Sequence, residues 1–440
     1  MLLRKEGVLA EHTHVGRLVD VWPRVESELC DPSQAQAPAT RKSISLHTYV
    51  FSDMMCKFRR VGGGKTRDVC SRIMDWVRRV RTDSAHPADP VSFFMIVDVP
   101  VNVPREKHDL QKKRSAAVCL YPTGHGHEYR IEDDGIRCDG TLQEVDMNKL
   151  MSTRSLRPPF YAYMRAWLRR SELSNWLGPR DVLYMNDPDT GVLHCFQPRS
   201  ALAAPSPATV PSAVVADCLE GEAEVSACKF AVRYGLTGRV VVWSGDLDIV
   251  PLVHLNATAF PFGCVILFAD RQVSCLHVVG SATVTQPMSV TACPAPGSAN
   301  PPRGVTVHPM KPEHRQARLS QRNVLALLCL GTDYVVKSPV LRGLRTKTVW
   351  ETCSDHLSTG LTVTDTLTSA SAFKDVIERI YAQQLRLPPT AGTTQAQIVK
   401  ALEKRKAKTI RFPNVLDVRN FQQQICFNFF YWKNLSWKIA

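Results

Sequence analysis

Arg239-Val240-Val241-Val242-Trp243-Ser244-Gly245-Asp246-Leu247-Asp248 decides how the chain is read. Four apolar residues in succession, with no polar alternation, are what a strand buried on both faces of a parallel sheet requires. A glycine and two aspartates follow where such a strand would leave the sheet. Side chains alternate along an extended segment, so Asp246 and Asp248 aim the same way. Two other apolar runs, Val91–Val97 and Cys264–Phe268, have the same character. Helical periodicity falls between and beyond them, at Val69–Val80, Arg105–Ala117, Phe160–Leu168, Glu222–Tyr234, Gln321–Leu330 and Ala370–Gln384. Strands alternating with helices predict an α/β fold with a central, mainly parallel sheet flanked by helices. In such sheets function gathers at the carboxyl edge.

Acids cluster where that edge should be. Asp98 follows the strand Phe93-Phe94-Met95-Ile96-Val97, Glu222 and Glu224 open the helix that ends at Tyr234-Gly235, and Asp333 follows the helix at Asn323–Leu330. Singly, each has an ordinary structural role: glutamates in a first helical turn complement the macrodipole, and aspartates cap helices and turns. Six carboxylates converging on one edge would repel unless cations neutralise them. A pair of divalent ions bridged by such oxygens stabilises both the attacking and the leaving oxygen of a phosphodiester. Oxygen-only ligands favour Mg²⁺ or Mn²⁺ over zinc.

These motifs resemble the flap endonuclease and XPG-type structure-specific nucleases, a family with a PIN-like α/β fold. That family has a Glu-x-Glu opening a helix, an Asp-x-Asp after a strand about twenty residues on, and a Gly-x-Asp-Tyr further downstream. Glu222/Glu224, Asp246/Asp248 and Gly331-Thr332-Asp333-Tyr334 stand in these places, and Ile96-Val97-Asp98 matches its early Asp-bearing turn. The resemblance implies a PIN-like nuclease domain with two Mg²⁺ (or Mn²⁺) ions held by Asp98, Glu222, Glu224, Asp246, Asp248 and Asp333. It implies that Arg105 and Lys112, seven and fourteen residues past Asp98, serve the scissile phosphate. Lys57, Arg59, Arg60, Lys65, Lys113, Arg114, Arg342, Arg345 and Lys347 are then expected to meet the DNA backbone. The family's first metal Asp has no direct counterpart, because His47 stands at its distance from Asp98. Either His47 tolerates Mn²⁺, Asp53 or Asp20 substitutes, or that metal site is weakened. The hairpin glycines of the family are reduced to Arg342-Gly343-Leu344-Arg345-Thr346-Lys347.

The expected activity is structure-specific DNA endonuclease or 5′ exonuclease action on flapped or branched DNA, in replication, repair or recombination. RNA cleavage of the host-shutoff type and a catalytically weakened nucleic-acid-binding factor are the alternatives on the same fold. Total length and the long stretch between Asp98 and Glu222 resemble the flap-endonuclease-like proteins of large DNA viruses, poxviruses especially. The expected organisation is a first nuclease segment at 1–115, a variable helical and loop insertion at 116–215, an internal nuclease segment at 216–350 with a loop insertion near 284–306, and a basic C-terminal extension at 351–440.

Composition agrees with such a partner. Among 440 residues, 55 Lys and Arg face 41 Asp and Glu, a formal charge of +14 that favours a polyanion. With 44% hydrophobic and 22% charged residues the chain can bury a core, and wholesale disorder is excluded. No apolar run has the length of a membrane span, and the start does not read as a signal peptide. The 14 cysteines include no Cys-x-x-Cys, so a zinc ribbon is excluded, and scattered thiols predict a reducing intracellular setting: the nucleus, or the host cytoplasm for a poxvirus-like protein. Gly62-Gly63-Gly64-Lys65-Thr66 lacks the spacing of a nucleotide-binding loop and reads as a flexible basic loop near DNA. Gln423–Phe430 resembles a sliding-clamp box, while Phe427–Trp437 also reads as a strand.

Overall fold

The computed structural model describes residues 47–85, 89–99, 121, 128–199, 210–219, 221–244, 249–256, 259–260, 264–268, 275–278, 324–326, 328–329, 340–341, 344–358, 361–387, 395–404 and 410–433. They fall into two compact units, an α/β unit up to residue 249 together with 259–278, and a helical unit comprising 250–256 and 324–433.

The α/β unit is built on strands β1 (Thr48–Asp53), β2 (Val91–Ile96), β6 (Val182–Asn186), β7 (Leu193–Phe196), β8 (Arg239–Ser244), β9 (Cys264–Phe268) and β10 (Cys275–Val278). They form one sheet in the order β10-β9-β8-β1-β2-β6-β7. β9, β8, β1, β2 and β6 run parallel, and the antiparallel strands β10 and β7 close the two edges. The expected α/β class and mainly parallel sheet are therefore present. Every residue of β2 and β6 is buried, which is why their sequences are apolar without alternation.

Register sorts the side chains onto two faces. Val50, Phe93, Met95, Leu183, Met185, Val241 and Trp243 share a core with α2 (Thr66–Ser84) and α4 (Arg157–Arg170). Along α2 the buried residues Val69, Ile73, Met74, Trp76, Val77 and Val80 make one apolar stripe at helical spacing. Tyr49, Phe51, Phe94 and Tyr184 face the other way. They pack with Phe230 and Tyr234 of α6 (Ala223–Gly235), with ring centroids 4.6–6.4 Å apart. α6 contacts β1, β8 and β2 together.

The stretch 116–215, expected as an insertion, supplies two strands of the main sheet and α4. It also holds a small antiparallel sheet, β3 (Tyr129–Glu132), β4 (Gly135–Cys138) and β5 (Thr141–Gln143), and the short helix α3 (Met147–Ser152). The β4–β5 turn is Asp139-Gly140, both at positive φ (48° and 83°), the pair a two-residue hairpin of this hand demands. Its acids are answered locally. Asp134 pairs with Lys65 at 3.2 Å, Asp133 with Arg170, and Glu132 with Arg137 at 2.7 Å. The Gly62–Gly64 loop joins α1 (Met54–Phe58) to α2 and pairs with a neighbouring segment. Gly64 and Val145 exchange backbone hydrogen bonds of 2.8 Å, and a Cβ on Gly63 would stand 2.4 Å from the Val145 carbonyl. These glycines admit a backbone. Residues 212–218, at the end of the stretch expected as an insertion, form helix α5 (Ser212–Cys218) against α6.

In the helical unit, α7 (Ile249–Leu255) is followed by helical turns at 324–326 and 328–329, then α8 (Thr346–Ser358), α9 (Val363–Thr368), α10 (Ala370–Gln384), α11 (Gln395–Lys404) and α12 (Val415–Lys433). The expected boundary at 350/351 falls inside α8. A capping box of Thr362 and Asp365 starts α9, and the Ser369 hydroxyl caps α10. Residues 427–433, read as a strand, are helical: Phe421, Ile425 and Phe429 recur every fourth residue and are all buried. Among the described residues no helix is long and apolar enough to cross a membrane, and the described cysteines are free thiols.

Candidate active site

Chain direction in the sheet reverses between β1 and β8. From β1 the chain moves through β2 and β6 to one edge, then returns to lay β8 on the other side of β1 and continues outward to β9 and β10. In α/β sheets ligands commonly bind at such a point, beyond the carboxyl ends of the two strands. The last residues of these strands meet there: the Ser244 hydroxyl donates to Asp53 Oδ2 at 3.2 Å. Asp53 Oδ1 accepts from the Met55 backbone N–H at 3.0 Å, which caps the short helix α1 (Met54–Phe58).

The side-chain alternation brings the next acid to the same face. Asp53 pairs in register with Ile96, and Asp98 lies two residues further on with the same parity. Asn186, at the end of β6, fixes the chain just before Asp98, because its side chain accepts from Val97 N–H (2.8 Å) and donates to Val97 C=O (3.1 Å). Val99 N–H then donates to Gly221 C=O at 2.7 Å, and Asp98 Oδ1 accepts from Ala223 N–H at 3.1 Å. The post-β2 segment is thereby stitched to the first turn of α6. Gly221 turns into that helix at φ +59°, a conformation an L-residue rarely adopts. Glu222 is the N-cap residue, and Glu224 sits in the first turn.

Asp53, Glu222 and Glu224 are 3%, 3% and 4% exposed, and Asp98 is half-buried. Buried carboxylates near one another are costly unless hydrogen bonds, a helix N-terminus or cations compensate their charge. Their all-oxygen chemistry fits a hard divalent ion such as Mg²⁺ or Mn²⁺. Among the described residues, no three His, Cys, Asp or Glu side chains come close enough to form a metal-holding group by themselves. Asp246 and Asp248 follow Ser244 by two and four residues in sequence, and they, Asp333, Arg105, Lys112, Lys113, Arg114 and Arg342 lie outside the described residues.

No family model matches this chain, and no curated protein matches it.

His47 does not belong to this edge. It stands just before β1, at the amino end of the strand, roughly 20 Å along the chain from Asp53 at the strand rise. Its Nε2 lies 2.9 Å from Ser92 Oγ and its ring packs, tilted by 33°, against Tyr49. Burial lowers its pKa, opposed by the Asp181 charge. Of the substitutes considered for it, Asp53 is the residue placed at the carboxyl edge, and Asp20 is outside the described residues.

The expected backbone-binding cations scatter. Arg59 and Arg60 are exposed at the end of α1. Lys57 of α1 sits 5.3 Å from the centroid of the Trp76 ring, and burial, with Arg79 and Arg60 nearby, lowers its pKa to about 8. Lys65 caps α2 and is paired with Asp134. Arg345 is exposed and Lys347 lies in α8, both in the helical unit. Within the expected clamp box, Ile425 and Phe429 are buried in α12, so these two apolar side chains serve the unit's own core.

Proposed function

We propose that this chain is a divalent-metal-dependent, structure-specific nuclease that hydrolyses phosphodiester bonds at flaps or branches in DNA, on a PIN-like nuclease fold. The observation that carries the reading is the meeting of Asp53 and Ser244 at the β1–β8 switch point. Asp98 shares the register parity of Asp53 and is joined to the first turn of α6, where Glu222 and Glu224 stand, and in sequence Asp246-Leu247-Asp248 follows Ser244 after Gly245. Several carboxylates with all-oxygen chemistry suit two-ion phosphoryl transfer better than acyl transfer by a Ser-His or Cys-His pair.

Asp53, Asp98, Glu222 and Glu224, with Asp246, Asp248 and Asp333 from sequence, would hold two Mg²⁺ or Mn²⁺ ions. When bound, such ions stabilise charge on the attacking and leaving oxygens. The chain's own contribution is positional. Ser244 and the Met55 N–H orient the Asp53 carboxylate, and Asn186 together with the Ala223 N–H orients Asp98. Trp243 and Trp76, at 4.6 Å, wall off the opposite face of the sheet. The chain's excess of cations favours a polyanion, so affinity should fall steeply with salt.

The deciding assay compares wild type with Asp246→Asn/Asp248→Asn on flapped DNA, Holliday junctions and single-stranded RNA, in Mg²⁺ and in Mn²⁺. Cleavage of flapped or branched DNA by wild type alone is expected. Equal, background-level cleavage by both proteins would refute the enzyme reading, and preferential cutting of RNA would refute the substrate.

A further inference from the structure

A second wall of the site comes from α4. Its residues 157, 161 and 165 are spaced four apart and share one face of the helix. That face runs across the segments leaving the carboxyl ends of the strands. Tyr161 Oη donates to Met55 Sδ at 3.0 Å, two residues beyond Asp53, and the Tyr161 ring stacks on Phe58 at 5.8 Å. One turn on, Arg165 Nη2 pairs at 3.0 Å with Asp187, the residue after β6. Asp187 is in turn the neighbour of Asn186, which sets Asp98. The Tyr161 hydroxyl is wholly buried, and burial raises its pKa. The charges acting on it are Arg157 and Arg59, which lower it, and Asp98 and Asp53, which raise it. Two guanidinium groups and two site carboxylates thus act electrostatically on the same hydroxyl.

Arg157 is half-buried at the start of α4, ahead of Pro158 and Pro159. Its Nε donates to the Met151 carbonyl at 2.7 Å, which fixes the plane of the guanidinium. Among the described residues it forms no ion pair, although Asp98 and Asp53 act on the same hydroxyl. Its Nη1 and Nη2 groups are left as a pre-oriented fork, the geometry that suits two oxygens of a phosphate.

We propose that Arg157 grips the substrate phosphate at this site through Nη1 and Nη2, making α4 the cationic wall opposite the carboxylates. The proposal rests on the nuclease reading and extends it, since a phosphodiester anion entering a carboxylate-rich crevice needs a cation supplied by the protein as well as by metal. Arg59, exposed at the end of α1, would meet the flanking phosphate.

Arg157→Gln and Arg157→Lys in the full chain test this against a purely structural role in tying α4 to Met151. Binding of 5′-flapped duplex DNA is measured by fluorescence anisotropy over a KCl series in EDTA, single-turnover cleavage in Mg²⁺, and thermal midpoints in parallel. Expected for Arg157→Gln is a salt slope smaller by about one, affinity about tenfold weaker at low salt, and an unchanged midpoint. Arg157→Lys should restore the slope, because the charge returns, but not the cleavage rate, because the fork does not. A wild-type slope and affinity in Arg157→Gln would overturn the proposal. So would a loss of binding matched by equal falls in thermal midpoint in both variants. If wild type binds DNA without cutting it, the nuclease reading falls, and the slope alone still decides for or against the phosphate contact. No binding by wild type overturns the contact outright.

Discussion

Replacing Asp53 separates its charge from its hydrogen bonds. In Asp53→Asn, Oδ1 can still accept from Met55 N–H, and the new amide can donate to the Ser244 hydroxyl, which turns to accept. Folding stability should therefore change by less than about 1 kcal/mol. Asp53→Ala loses both bonds. Removing an N-cap costs about 1 kcal/mol, and leaving a buried Ser244 hydroxyl without its acceptor costs about 1–2 kcal/mol more. Together these give roughly 2–3 kcal/mol, a fall of roughly 4–12 °C in thermal midpoint for a domain of this size. Activity should order the variants differently. Loss of the negative charge alone should lower single-turnover cleavage of flapped DNA by at least about 100-fold, the scale seen when one electrostatic stabiliser is removed. Asn and Ala variants should thus be about equally inactive while differing in stability, and His47→Ala, at the far end of β1, should cut like wild type. The reasoning is refuted if Asp53→Asn cuts at the wild-type rate, and still more directly if His47→Ala is the inactive variant.

Lys57 gives a pH signature. Its pKa of about 8 in the folded chain lies below the ordinary lysine value of about 10.4, so between these pH values the unfolded chain holds a proton that the folded chain has released. Stability should therefore rise as pH goes from about 8 toward 10.4, and Lys57→Met should remove that rise in urea melts run across the window; an unchanged rise would assign it elsewhere. Phe429→Ala should destabilise the chain by about 3–5 kcal/mol, as for a large buried core residue, measurable in urea melts. A stable Phe429→Ala protein would mean that the side chain is available to a partner after all.

Long apolar runs told the truth. β8, β9, β2 and α10 lie where the sequence puts them, because strands buried on both faces and long amphipathic helices leave unmistakable patterns. β1 was harder to see. Thr48-Tyr49-Val50-Phe51-Ser52-Asp53 has only three strongly apolar residues, and it is set among the cations of residues 41–81, which drew attention to charge. Its signal was β-branched and aromatic content followed by an aspartate that could cap a helix. Counting back from Asp98 pointed to His47, because sequence distance was carried over from a resemblance, whereas the edge is defined by register, with Asp53 opposite Ile96. β6 is obscured by its brevity and by its place in a stretch, 116–215, that has the look of an insertion. Arg157 and Tyr161 are equally hard to read from sequence, because their meaning depends on α4 lying against α1. No local pattern announces that contact.

The hydrogen bond between Asp53 and Ser244 joins residues 191 apart in the chain. On a ribosome, β1, β2 and β6 can assemble while β8 is still unmade, leaving one flank of β1 as a bare row of donors and acceptors. A flank of this kind is a template for wrong strands, and pairings this distant in sequence form slowly. The nascent protein therefore carries an aggregation-prone edge beside the residues it needs last. The same delay keeps the crevice unfinished until more than half of the polypeptide has been made.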